Sequence, residues 1–143
     1  MLKLNEFAQA DTPHNETLTL PYDSRQKSRL LARLDKGAEV GLFLERGRIL
    51  RGGDLLTGPD GVVVRVVAAP EPLSVVRTDD SLLFARTCYH LGNRHVSLQI
   101  GPGELCYLAD PVLDEMVRRL GLDLRHEFLP FEPEPGAYRG HGH

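Results

Sequence analysis

The sequence predicts an α+β chain: an N-terminal all-β domain followed by a ferredoxin-like β-α-β-β-α-β domain. Three observations carry this expectation. Residues 17–69 consist of short valine- and leucine-rich runs broken by glycine and charge. A Pro70-Glu-Pro72 segment then interrupts the chain. Beyond it, two helix signatures with their own start and stop residues are flanked by short β-like runs, the order of a split βαβ fold.

In the first half, Ala38-Glu-Val-Gly-Leu-Phe-Leu44 alternates imperfectly, Glu45-Arg46-Gly47 turns, and Arg48-Ile49-Leu50 resumes as strand. Arg51-Gly52-Gly53-Asp54 is a second turn, where glycine permits positive φ. Pro59-Asp60-Gly61 signals another turn before Gly61–Ala69, whose valines suit a pleated surface. Lys27–Asp35 fits both a period-two strand and a helical stripe through Leu30, Leu31 and Leu34; its β surroundings favour the strand. Pro70-Glu-Pro72 reads as a linker, because each proline restricts itself and the residue before it. The expected divisions are residues 1–71, 72–133 and a histidine-bearing tail at 134–143.

In the second half, Leu73–Arg77 is the first strand. Asp79 or Asp80 caps a helix carrying Leu82, Leu83, Ala85, Tyr89 and Leu91, which Gly92-Asn93 ends. Val96–Ile100 and Glu104–Leu108 form a hairpin across Pro102-Gly103. The next helix has Asp110 at its N-cap and Pro111 at its first position, where the missing N–H is not needed. Val112, Leu113, Met116, Val117 and Leu120 mark its apolar face, and Gly121 stops it. Leu122–Phe131 supplies the last strand.

Composition narrows the function. A formal charge of −3, from 17 basic and 20 acidic residues, gives no reason to expect nucleic acid or a membrane surface as partner. No apolar run approaches the roughly 20 residues of a membrane span, and the first residues lack a secretory pattern. Cys88 and Cys106 form no C-x-x-C pair, so a reducing, cytoplasmic setting is expected. H-E-x-x-H, nucleophile-elbow and phosphate-loop patterns are missing; an enzyme is not expected.

The chemistry then falls to six histidines, His14, His90, His95, His126, His141 and His143, since imidazole suits Ni(II), Zn(II) and Cu(II) at neutral pH. His90 and His95 are five residues apart, not the i,i+4 pair of a helical metal site, and spacing alone makes them surface or structural residues. His141 and His143 form a His-x-His on a glycine-flanked end, a composition able to bind metal. The cysteines read as small buried hydrophobes, with soft metal ligation by either as the alternative.

Cys88-Tyr-His-Leu-Gly-Asn-Arg-His-Val-Ser-Leu-Gln-Ile100 resembles the signature segment of the UreE urease accessory proteins. So do Gly41-Leu-Phe-Leu44 with Arg51-Gly-Gly-Asp54, and Val112-Leu-Asp-Glu-Met116 with Leu129-Pro-Phe-Glu-Pro133. The resemblance implies a homodimeric nickel metallochaperone with a peptide-binding-like β domain and a ferredoxin-like metal-binding domain. It implies that Ni(II) is held by His95 of both subunits at the dimer axis and passed, with the GTPase UreG, to apo-urease. His141 and His143 would complete the coordination, and His90 belongs to the same motif. Zn(II) or Cu(II) would compete for the same donors. Some relatives carry further histidines where this chain has Ala109 and Pro111, and long polyhistidine tails that this chain lacks; carriage of few ions is expected, not storage. Two other readings are a peptide-binding assembly factor with an incidental metal site, and a small metal hydrolase using His90 and His95.

Overall fold

The computed structural model describes residues 1–136. The chain is α+β and forms two compact units, one holding Met1–Ala69 and the other Pro70–Glu134.

The first unit is built on two sheets. Strands β1 (Leu2–Leu4), β4 (Arg29–Arg33) and β5 (Glu39–Phe43) form one in the order β1-β5-β4. Strands β2 (Glu6–Phe7), β3 (Glu16–Leu20), β6 (Leu55–Thr57) and β7 (Val64–Ala68) form the other in the order β2-β6-β7-β3. Leu4, Val40 and Leu42 from the first sheet pack in one core with Leu18, Leu56, Val64 and Val66 from the second. Alternation explains the arrangement: Val64, Val66 and Ala68 of β7 are buried while Arg65 and Val67 between them are less so. Lys27–Asp35 resolves as the strand β4, with Leu30 and Ala32 turned to the core and Leu31 exposed.

Two features depart from the sequence reading. Leu2–Leu4 and Glu6–Phe7 are strands that it did not anticipate, too short to show a convincing period. Arg48-Ile49-Leu50, expected as strand, is irregular, although Ile49 and Leu50 are buried. Buried arginine replaces the missing ladder there. Arg25, on the short helix α1 (Tyr22–Arg25), is fully buried; its Nε donates to the Leu20 carbonyl at 3.1 Å and a terminal nitrogen to the Leu50 carbonyl at 3.0 Å. The Leu50 N–H donates to the Arg25 carbonyl at 2.9 Å.

The second unit follows the order β8 (Pro70–Arg77), α2 (Ser81–Asn93), β9 (Gln99–Gly101), β10 (Glu104–Leu108), α3 (Pro111–Arg119), β11 (Arg125–Pro130). Its antiparallel sheet runs β11-β8-β10-β9, the ferredoxin-like arrangement. Val76, Leu105 and Tyr107 of the sheet share a core with Leu91 of α2 and with Leu113 and Val117 of α3. Asp80 caps α2 by accepting from Leu83 N, and Asp110 caps α3 by accepting from Val112 N and Leu113 N.

Three local expectations are corrected. Pro70 and Pro72 are not in a linker but begin β8, opposite Pro130 and Phe128 of β11. Pairing with β10 stops at Leu73, so the prolines sit where the strand has a ladder on one side only and a missing N–H is tolerated. In α2, Leu83 and Leu91 face the core as expected, but Leu82 and Tyr89 are exposed, and Phe84, Thr87 and Cys88 take inward places instead. The second strand of this unit starts at Gln99, not Val96, because the chain first turns sharply at His95.

Beyond β11, the Glu132 N–H donates to Gln99 Oε1 at 2.8 Å and the Glu134 N–H to the Leu98 carbonyl at 2.7 Å. Residues 131–134 therefore return the chain from one edge of the sheet to β9 at the other, with Phe131 fully buried on the way.

Candidate metal centre

His95 stands at a corner that the backbone builds for it. Helix α2 ends at Asn93, Arg94 N–H donates back to Leu91, and His95 N–H donates to the Gly92 carbonyl at 2.9 Å. His95 itself adopts φ 59°, a left-handed conformation that a non-glycine side chain rarely takes. Its side chain is exposed. His90, one turn and a half earlier, is also exposed and stands edge-on to the Tyr89 ring with centroids 5.3 Å apart. His141 and His143 lie outside the described residues.

Among the described residues, no three histidine, cysteine, aspartate or glutamate side chains come together in a group able to hold a metal ion. His90 and His95 are thus presented to solvent without a further ligand from the described part of the same chain. Both cysteines are free, Cys106 buried and Cys88 half-buried. Burial pushes the Cys106 thiol up to about 11, with the Glu104 carboxylate adding to the effect, and burial raises Cys88 as well.

Sequence reasoning missed a second constellation. Asp114, buried on α3, accepts hydrogen bonds on Oδ1 from Ser74 Oγ at 2.7 Å and Tyr107 Oη at 2.6 Å. His126 Nε2 lies 2.8 Å from its Oδ2. Burial alone would raise the Asp114 pKa, but the hydrogen bonds from Ser74, Tyr107 and His126 outweigh it and hold the carboxyl below its usual range. Burial, aided by the Asp114 carboxylate, pushes the Tyr107 phenol far upward. The one signal in the sequence was an aspartate directly beside Leu113, in the stripe that α3 turns inward.

Serine, histidine and aspartate together invite comparison with a hydrolytic triad, but the connections are wrong. Such a triad needs the hydroxyl on the imidazole and the imidazole on the carboxylate. Here Ser74 and His126 both bond Asp114, so no base is aimed at the hydroxyl. No helix among the described residues is long and apolar enough to cross a membrane.

A β-rich unit followed by a ferredoxin-like unit that displays imidazoles at a helix end defines a two-unit α+β protein with candidate metal donors on its surface. Comparison with known proteins gives that class its family. Residues 3–69 match the model of the UreE urease accessory protein N-terminal domain, and residues 71–143 that of its C-terminal domain. The urease accessory protein UreE of Alkalilimnicola ehrlichii is 60% identical over 140 residues, covering 98% of this chain and 86% of the relative. That of Enterobacter sp. (strain 638) is 53% identical over 144 residues, covering 100% and 95%. That of Pseudomonas putida (strain GB-1) is 58% identical over 130 residues, covering 89% and 79%. The chain belongs to the UreE family of urease accessory proteins, which are accessory factors and not enzymes.

Proposed function

We propose that this protein is a cytoplasmic nickel carrier for urease maturation. Two copies pair so that the His95 side chains meet around one Ni(II) ion, and the ion then passes, with the GTPase UreG, to apo-urease. His141 and His143 complete the coordination, and His90, on the helix that leads to His95, is a subsidiary donor. Zn(II) and Cu(II) bind the same imidazoles, because affinity follows donor type more than metal identity.

The observation that carries this reading is His95 itself, exposed and fixed in a left-handed corner at the end of α2. Three others support it. A two-fold interface presents one residue twice, which suits a chain whose described residues hold no metal group alone. Leu82, Ala85 and Tyr89 form an exposed stripe at helical spacing on α2, an apolar surface for a second copy beside His95. The hydrogen bond from Glu134 to Leu98 starts the tail three residues from His95 in sequence. The seven residues from Glu134 to His141 span at most about 25 Å, ample for reaching that corner.

Nickel titration calorimetry on the wild type, His95→Ala and a chain ending at Gly140 tests the proposal. Wild type takes up one or a few ions per pair of chains, the truncated chain binds more weakly, and His95→Ala loses the tight site. Undiminished affinity in His95→Ala overturns the assignment. If that variant still activates urease fully, the peptide-binding reading, with metal incidental, takes its place.

A further inference from the structure

Donors at the end of a chain do not by themselves require the course that this chain takes toward them. β11 ends at Pro130, on the edge of the sheet three strands away from β9. At about 4.8 Å per strand, those two edges stand about 14 Å apart. Residues 131–134 cross that distance as a strap, with Phe131 and Pro133 buried. Its far end is fastened twice: the Glu132 N–H donates to Gln99 Oε1 at 2.8 Å, and the Glu134 N–H to the Leu98 carbonyl at 2.7 Å.

The local sequence makes the strap stiff. Phe131-Glu-Pro-Glu-Pro135 has proline at every second place after Phe131, which fixes φ at 133 and 135 and drives Glu132 and Glu134 into extended backbone. The two glutamates therefore supply the N–H groups with which the strap holds Leu98 and Gln99. Gln99 is the side-chain half of that hold, and its surroundings are otherwise apolar. It stands in register with Cys106 of β10, which pairs in turn with Val75 of β8. Val75 and Cys106 are each 1% exposed. Side chains in one row across a sheet share a face, here the face opposite to that on which Val76 and Leu105 meet the helices. Packing alone would select another apolar residue in this row. The amide of Gln99 has its reason in the strap N–H that it accepts.

Leu98 follows His95 by three residues, so it lies within about 10 Å of that corner. We propose that Gln99 is a positioning residue for nickel: by clamping the strap it fixes the start of the tail beside His95 and raises the effective concentration of His141 and His143 there. The proposal rests on the reading of those two histidines as donors. With the strap fastened, seven residues lead from Glu134 to His141. With it detached, the tether begins at Pro130, eleven residues from His141 and at the far edge of the sheet. Effective concentration falls with about the −3/2 power of tether length, so lengthening alone about halves it. The displaced origin lowers it further, to a loss of about fivefold on full release.

Nickel titration of the full chain, with a chain ending at Gly140 as reference, tests this. Gln99→Met keeps the length of the side chain and removes the acceptor. It weakens binding about two- to fivefold in the full chain and changes nothing in the truncated one, a non-additivity that a merely structural role does not give. A second variant keeps Gln99 and the strap and inserts four Gly-Ser pairs after Pro135; the longer tether weakens binding about threefold. In the metal-free protein, amide exchange rises at Glu132 in Gln99→Met and keeps its wild-type rate at Val76 of the central strand β8. Wild-type affinity in Gln99→Met or in the insertion variant overturns the proposal and leaves the histidine donors standing. So does an equal loss from Gln99→Met in the full and truncated chains, or unchanged exchange at Glu132. If ending the chain at Gly140 costs no affinity, the donor reading itself fails and the proposal falls with it.

Discussion

Asp114 of α3 and His126 of β11 meet with 2.8 Å between carboxylate and imidazole, and through them the helix is tied to an edge strand of the sheet. Ser74 and Tyr107, from the two central strands, bond the other carboxylate oxygen. A single buried carboxylate thus joins α3 to three strands of the sheet. Removing it leaves two hydroxyls without their acceptor. Asp114→Ala is expected to lower unfolding free energy by about 2–4 kcal/mol, in the range for breaking a buried charged hydrogen-bond group. Chemical denaturation followed by circular dichroism measures this.

The same carboxylate sets an acid limit. Its folded pKa lies below the ordinary carboxylate value, so its stabilisation is fully present above about pH 4, the unfolded range. It is lost as pH falls from there through the folded value. Wild type should lose stability more steeply below pH 4 than Asp114→Asn, which has no proton to take up at this site. Parallel acid titration curves for the two proteins would show that the carboxylate is not the linked group.

How much of this was readable in the sequence depends on which force positions each residue. The α3 boundaries were legible because Asp110, Pro111 and Gly121 act locally, through capping and φ, and the β-α-β-β-α-β order followed from such punctuation. The inward face of α2 was legible only at Leu83 and Leu91. Leu82 and Tyr89 are apolar enough for a core, and only tertiary packing shows that Thr87 takes the buried place. Arg48–Leu50 misled for a related reason: its apolar residues are buried, but a guanidinium 25 residues earlier, at Arg25, satisfies its backbone. His95 could be singled out only by likeness to a family, since its distinguishing feature, a positive φ, has no sequence signature outside glycine.

Arg25 gives a direct test of that long-range support. Its guanidinium is fully buried and donates to the Leu20 and Leu50 carbonyls. Arg25→Met keeps the aliphatic stem but strips both donors, and is expected to cost about 2–4 kcal/mol. Hydrogen exchange should rise selectively at the Leu50 amide, which bonds the Arg25 carbonyl. Unchanged exchange there would mean that the loop is held by the burial of Ile49 and Leu50 alone.

Gly58 marks a place where two backbones come closer than a side chain permits. An added Cβ would collide with the Lys3 carbonyl oxygen, an atom that cannot swing aside without moving β1. Gly58→Ala should therefore destabilise by about 1–3 kcal/mol, the range for overpacking. Gly92, around which an added Cβ meets nothing within 4 Å, is the control: Gly92→Ala, inside α2, should be neutral or stabilising because alanine favours helix. Thermal melts of the two variants, moving in different directions, check the contrast.

His95 allows backbone strain and metal binding to be separated. At φ 59° the imidazole is carried on a conformation that costs about 1 kcal/mol for a non-glycine residue. His95→Gly removes both the side chain and that cost, although glycine also loses more entropy on folding, which offsets part of the gain. The variant should melt at or slightly above wild type while losing tight nickel binding. His95→Ala retains the strain and should melt below His95→Gly by a few degrees, with the same loss of nickel. Such a pattern means that a histidine is held in an unfavourable backbone state for its ligand and not for the fold. If His95→Gly melts well below wild type instead, the imidazole supports the end of α2, and its place at that corner is structural.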